Sequence, residues 1–264
     1  MTKQAKPAVS HERTPAEART EQIVFDIVEA VRDVLRTDDV TFEEYRTAVH
    51  FLMDYVNQPV HEVPLMCDLW FNAAICDIES AKRDGSATAV EGPYFMDDIP
   101  VVTDRLKTKD DGEPLVIQGA VTATDGRSVA GTKLYIWHSN PQGYYSGYAD
   151  DFPKDYYRGI VELDETGRFS VKTTMPAPYT IPLGGITNRL LTAMGRHPWR
   201  PAHLHFKLLN PEFLPLTTQA HFENFDYMEN DCVNGVRPSN TYLLREDDSG
   251  KVLDIDFTLD PAGN

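Results

Sequence analysis

Arg200-Pro201-Ala202-His203-Leu204-His205-Phe206 is the stretch on which the reading of this chain turns. As a β-strand it puts side chains two apart on one face, so both imidazoles point at the same place. Two imidazoles so placed make half of a transition-metal site, and the other half has to come from elsewhere. The spacing alone carries little weight, because a chain with 8 His can place two of them this way by accident.

Few residues qualify as the missing ligands. Cys67, Cys76 and Cys232 are scattered with no C-x-x-C pair, which disfavours a thiolate zinc site. Cupins also begin a metal site with H-x-H on a barrel strand, but they want a carboxylate about four or five residues later. Here Phe206-Lys207-Leu208-Leu209-Asn210 follows, and Glu212 comes too late. Upstream, two turn-like segments each offer a tyrosine: Asn140-Pro141-Gln142-Gly143-Tyr144-Tyr145-Ser146 and Met175-Pro176-Ala177-Pro178-Tyr179-Thr180-Ile181-Pro182. If Tyr144 and Tyr145 are both extended they face opposite ways, and only one can reach a metal.

Outward from the histidines, the chain reads as helices first and strands afterwards. Residues 1–13 are expected to form a disordered tail. Thr14-Pro15-Ala16-Glu17 reads as the start of a helix running to about Arg36, with Ile23, Ile27, Ala30, Val31 and Val34 at helical spacing. Thr41-Phe42-Glu43-Glu44 is a capping box for a second helix to about Val56, and His61 to about Ala81 reads as a third. Strand signals follow at Leu115–Val121, Leu134–Trp137, Gly159–Leu163, Arg168–Val171, the histidine strand and Leu216–His221. Near the end Leu253, Ile255, Phe257 and Leu259 alternate with Asp254, Asp256 and Thr258, the period of a half-buried strand. The fold class is therefore mainly β with N-terminal helices: a β-sandwich domain at 85–264 and a helical region at 14–84. The stretch from Pro176 to Arg200 is longer than a connection needs and is expected to close over the site.

In order along the chain, Glu91-Gly92-Pro93-Tyr94, Tyr135-Ile136-Trp137-His138-Ser139-Asn140, Gly143-Tyr144-Tyr145-Ser146, Tyr157-Arg158-Gly159, Asp164-Glu165-Thr166-Gly167-Arg168-Phe169, Pro176-Ala177-Pro178-Tyr179, Trp199 through Phe206 and Leu216-Thr217-Thr218-Gln219 resemble the intradiol ring-cleaving dioxygenases. That family includes the catechol and hydroxyquinol 1,2-dioxygenases, and the resemblance runs from about Ala87 to Gly235. It implies one non-haem Fe(3+) per chain on Tyr145, Tyr179, His203 and His205, with Arg200 and Gln219 beside the bound ring and Tyr179 serving also in catalysis. It implies an enzyme that takes an aromatic diol or triol and O2 and opens the ring between the hydroxylated carbons, to maleylacetate or cis,cis-muconate. It also implies a homodimer through the N-terminal helices, sometimes enclosing lipid.

The residue types suit that chemistry on their own account. Phenolate is a hard, strongly donating anion, so two tyrosinates with two neutral imidazoles fit trivalent iron better than copper(I) or zinc. Tyrosine ordinarily titrates near about pH 10, and a coordinated cation supplies what the anion needs at neutral pH. By the resemblance, the substrate walls are Leu65 and Asp68, Val90, Pro93 and Tyr94, and the stretch around Phe222 to Phe225. A carboxylate at Asp68 could accept from a third ring hydroxyl, which puts hydroxyquinol narrowly ahead of catechol. The plain alternative for Asp68 is a solvent-facing helix residue.

A formal charge of −16, from 25 Lys and Arg against 41 Asp and Glu, argues against nucleic acid or anionic membranes as partners. No apolar run reaches membrane-span length, and three scattered Cys suit a reducing, cytoplasmic setting. The absence of a phosphate loop or a G-x-S-x-G elbow removes nucleotide enzymes and common serine hydrolases. Two other readings stay open: a cupin-like divalent-iron dioxygenase with bystander tyrosines, and a non-catalytic β-sandwich binding module.

Overall fold

The computed structural model describes residues 14–58, 62–109, 112–148, 152–248 and 250–263, so the expected disordered tail lies outside the described residues. The chain divides into two compact units between Asn57 and Gln58. The first holds α1 (Pro15–Thr37) and α2 (Phe42–Val56), each opened by a complete capping box, Thr14 with Glu17 and Thr41 with Glu44. Both boxes satisfy amide donors that a helix start leaves unpaired. Ile27, Val31 and Val34 on α1 and Leu52, Met53 and Val56 on α2 stay exposed.

The second unit opens with α3 (Val63–Cys67), a π-helical turn (Asp68–Asn72) and α4 (Ala73–Ser80). The expected third helix is thus present but interrupted, and the widened turn begins at Asp68. Such one-turn π insertions cluster at functional sites. Arg237 binds Asp77 of α4 through Nε and Nη2, both at 3.0 Å, tying the helix to the loop beside it.

Twelve strands follow among the described residues. They are β1 (Pro114–Ala123), β2 (Lys133–His138), β3 (Arg158–Glu162), β4 (Arg168–Thr174), β5 (Tyr179–Thr180) and, after helix α5 (Ile186–Ala193), β6 (Trp199–Arg200), β7 (His203–Leu209), β8 (Leu216–Phe222), β9 (Thr241–Tyr242), β10 (Arg245–Asp247), β11 (Gly250–Asp254) and β12 (Phe257–Leu259). One sheet centres on β1, with β4 antiparallel on one side and β11 and β12 parallel on the other. The second runs β3-β2-β7-β8-β9. The alternating C-terminal stretch is two strands rather than one. Between them the Ile255 amide bonds to Gln118 O at 2.9 Å, while the Asp256 carboxylate accepts from Ala120 N at 2.8 Å.

Period-two alternation builds the core between these sheets. Leu134 and Ile136 of β2, Leu204, Phe206 and Leu208 of β7, and Ala220 and Phe222 of β8 pack with Leu115, Ile117, Val171 and Phe257 of the other sheet. Full burial of one such side chain is worth about 1.5–3 kcal/mol, so this layer dominates the stability of the unit. The stretch from Pro176 to Arg200 is not a plain loop. It carries the β5–β6 pair, and α5 packs Leu191 against Leu69, Ile181 and Val233. Glu62 accepts from the Thr187 amide at 2.9 Å, at the first turn of α5.

Candidate metal centre and active site

The residues of β7 that do not enter the core face the opposite side of the same sheet. Strand register lines up Trp137, His205 and Gln219 across β2, β7 and β8, and sets His203 opposite His221. His203 donates from Nδ1 to Pro201 O at 2.7 Å, which leaves its Nε2 lone pair facing inward. His205 is fixed instead by stacking on Trp137, with ring centroids 4.7 Å apart and planes 9° apart. The two Nε2 atoms come within 3.0 Å, and His205 Nε2 lies 3.2 Å from Tyr145 Oη.

Both tyrosine segments are folded against this face. Asn140 Oδ1 accepts from the Gln142 and Tyr144 amides at 3.0 and 2.8 Å, closing the turn that turns Tyr144 outward and Tyr145 inward. Gly143, at φ +85°, lets this turn touch the other segment, since a Cβ there would sit 2.8 Å from Pro178 O. Tyr145 is 3% exposed, against 60% for Tyr144. Tyr94 stacks on Tyr145 at 4.1 Å, and the Tyr145 and Tyr179 rings meet edge-on at 5.2 Å. Tyr179 of β5 pairs with Arg200 of β6, which brings Arg200 Nη1 to 3.4 Å from Tyr179 Oη and 3.2 Å from His203 Nε2. Gln219 donates to Val90 O and accepts from Arg200 Nη2 at 3.3 Å.

The electrostatics of this cluster call for a cation. Burial, aided by Arg200, holds both histidines well below their ordinary pKa, so they are neutral donors. Burial likewise pushes Tyr145 and Tyr179 up, and for Tyr145 the neighbouring Tyr179 adds to the effect. Two imidazole lone pairs and two buried phenols converge, and the one guanidinium that reaches them, Arg200, is already matched by the buried carboxylate of Asp231. A hard trivalent ion removes that conflict by favouring both phenolates. Among the described residues, no group of three or more His, Cys, Asp and Glu is placed to hold a metal, so a facial triad has no carboxylate here.

A cavity of about 390 Å³ opens onto Tyr179 and Arg200, and Leu65, Asp68, Val90, Pro93 and Tyr94 all line it. The Phe222 to Phe225 stretch does not: Phe222 lies in the inter-sheet core and Phe225 packs on it. Asp68 accepts from Asn72 Nδ2 at 2.9 Å, and burial raises its pKa.

Residues 90–261 match the family model described as Dioxygenase, and residues 17–87 the one described as Catechol dioxygenase N terminus. This chain belongs to the intradiol catechol dioxygenase family. It is 46% identical over 246 residues to the chlorocatechol 1,2-dioxygenase of Cupriavidus pinatubonensis, covering 92% of this chain and 96% of that protein. A 6-chlorohydroxyquinol 1,2-dioxygenase of the same organism is 32% identical, over 93% of this chain and 92% of its own length. The crystal structure of a chlorocatechol 1,2-dioxygenase from Pseudomonas putida superposes with a TM-score of 0.85 at 41% identity, over 92% and 99% of the two chains. The intradiol dioxygenase is thus a ring-cleaving 1,2-enzyme for catechol-type aromatics and O2, from a family that generally uses Fe(III). None of its described helices is long and apolar enough to cross a membrane.

Sequence reasoning missed several residues of this dioxygenase. Ile181 and Val233 complete the apolar wall of the cavity. Asp231 pairs with Arg200 at 3.2 Å inside the protein. It sits in Asn230-Asp231-Cys232-Val233-Asn234-Gly235, which has no period and reads as a surface turn; its only local signal is an acidic residue four before a glycine.

Proposed function

We propose that one ferric ion per chain is held by Tyr145, Tyr179, His203 and His205, and that the enzyme cleaves a chlorine-substituted catechol to the corresponding cis,cis-muconate. The convergence of four buried donors, with the two Nε2 atoms 3.0 Å apart and Tyr145 Oη 3.2 Å from one of them, carries the metal assignment. When bound, the ion would take the diol oxygens and draw electron density from the ring, which makes a ring carbon reactive toward O2. Tyr179 Oη, beside the cavity, is positioned to accept a phenolic proton. Arg200 presents Nη1 to the same spot and stabilises negative charge that develops on the ring, while Gln219 steadies the guanidinium. Tyr94 and the apolar walls exclude water.

Two observations favour chlorine over a third hydroxyl: relatives named for chlorocatechol at 46% identity, and apolar walls built by Leu65, Val90, Pro93, Ile181 and Val233. A chlorine gains from apolar contact, and a group of that size is worth about 10- to 200-fold in such a pocket. The hydroxyquinol reading rests on Asp68, whose carboxylate faces the same cavity. Oxygen uptake with catechol, 4-chlorocatechol, hydroxyquinol and protocatechuate decides between them. 4-Chlorocatechol should give the highest kcat/KM, and Asp68→Leu should preserve that rank. If hydroxyquinol leads and Asp68→Leu abolishes only that lead, the third-hydroxyl contact is right instead. A red-brown colour from tyrosinate bound to iron should accompany activity; a colourless, metal-loaded enzyme would sink the ligand set.

The same reading gives the helical region 14–84 the role of joining two chains, with 85–264 catalytic. The apolar residues left exposed on α1 and α2 support a homodimer there, with lipid as a further occupant. Sedimentation equilibrium of the purified protein tests it, since a monomer at micromolar concentration would refute the pairing.

A further inference from the structure

A buried carboxylate outside the ligand set grips the side chain assigned to the ring. Asp231 is 4% exposed, and its oxygens accept four hydrogen bonds. Oδ1 takes Arg200 Nε at 3.2 Å and the Val233 amide at 3.3 Å; Oδ2 takes Arg200 Nη2 at 3.2 Å and the Gly235 amide at 2.9 Å. The two amides fix the carboxylate to the main chain, and the carboxylate in turn fixes one edge of the guanidinium. Nη1 is thereby left to point at Tyr179 Oη and His203 Nε2, and the remaining Nη2 hydrogen at Gln219 Oε1. Two parallel bonds set orientation as well as position, which a single charge contact cannot do.

We propose that Asp231 is the positioning residue for Arg200: it holds the guanidinium edge-on, so that Nη1 meets the substrate beside Tyr179. This rests on the reading that Arg200 acts on the bound ring. Asp231 matches the Arg200 charge through two bonds of 3.2 Å in a buried pair, so what Arg200 brings to the ring depends on the direction in which its free N–H groups point. A purely structural Asp231 would only neutralise a buried cation, and any carboxylate in reach would serve.

Three substitutions separate these roles. Asp231→Asn removes the charge, Asp231→Glu keeps it but moves it by one methylene, and Gly235→Ala keeps the pair and wedges it. A Cβ at Gly235 would lie 3.0 Å from Arg200 Nη2 and 3.2 Å from Asp231 Oδ2, so the pair must give by a few tenths of an ångström. The readouts are kcat with catechol and 4-chlorocatechol, iron content, and the anaerobic Kd for the same diols followed by the visible band. Misplacement by about 1 Å can cost about 100-fold, so Asp231→Asn and Asp231→Glu should each lower kcat about 10- to 100-fold and Gly235→Ala about 3- to 10-fold. Iron content and Kd should stay within twofold. If Asp231→Asn fails to fold, Gly235→Ala decides. Wild-type kcat in Asp231→Glu and Gly235→Ala, with Arg200→Lys inactive, overturns the proposal alone; parallel loss of iron and kcat overturns it in favour of a structural role. Full turnover in Arg200→Lys sinks it together with the role of Arg200.

Discussion

Leu204 and Phe206 on one face of β7, and His203 and His205 on the other, are equally hidden from water, all at 0–1% exposure, but for opposite reasons. The inner pair meets the sheet centred on β1, and its contacts ask for nothing more. The outer pair is covered by segments from elsewhere in the chain, and the cover leaves polar atoms unmatched. His205 Nδ1 has no hydrogen-bond partner, and its Nε2 faces another imidazole lone pair. Burial therefore fails to distinguish core from site in this protein. What separates them is whether the buried atoms satisfy one another.

The largest expected effect comes from breaking the outer face. His203→Ala removes an inward lone pair without touching the inter-sheet contacts, so turnover should fall by more than the roughly 10²–10³-fold that loss of one directed donor costs. Thermal unfolding should remain a single transition, and the visible band should vanish. A coloured, active His203→Ala enzyme would mean that the outer face is a core in its own right. The neighbouring substitution reverses the pattern. Leu204→Ala should cost about 2–5 kcal/mol in urea unfolding while kcat of the folded fraction stays close to wild type.

Removing iron sharpens the contrast without any mutation. A ligand that binds only the folded state at about a hundred times its Kd adds about 2.7 kcal/mol, and the outer face alone stands to lose it. Chelation should lower the Tm by several degrees, and Leu204→Ala should lower it further, because its side chain packs in the inter-sheet core on the other face of β7. Equal Tm values with and without iron would mean that the cluster is already relaxed.

The alternation that creates the two faces is legible in the sequence, as are the helix start at Thr14 and the capping box at Thr41, because each is set by residues within one or two turns of each other; that Glu17 closes a second box is seen in the structure. Tyr145 and Tyr179 were visible only as tyrosines at turns, and it was the resemblance that tied them to the histidines. The π-turn at Asp68 leaves no local mark, since no Gly or Pro falls within Asp68–Asn72 to signal a break. Helix α5 is not legible within the long 176–200 connection, since Gly185 gives it no side-chain cap and its start is completed from far away, by Glu62. Asp231 was illegible for a similar reason: its partner Arg200 is 31 residues earlier, and nothing in a polar turn announces a buried ion pair.

The smallest effect concerns what holds the cover down. Lys207 continues the outer face beyond His205, and its ammonium binds Glu91, which also accepts from Thr217 Oγ1 at 3.3 Å. That ion pair is partly wet, with side-chain exposures of 19% and 36%, and such pairs contribute about 0–1 kcal/mol. The cover has other anchors: Ala89 N bonds to Thr217 O at 2.9 Å, and the Phe95 ring meets Tyr135 and Trp137 at 5.5 and 5.3 Å. Glu91→Gln should therefore change stability by less than about 1 kcal/mol and leave kcat and the visible band alone. Phe95→Ala should weaken both stability and iron retention, because Trp137 is the surface on which His205 rests. Should Glu91→Gln prove the more damaging of the two, charge rather than packing closes the outer face, and the two sides of β7 differ more than their common burial implies.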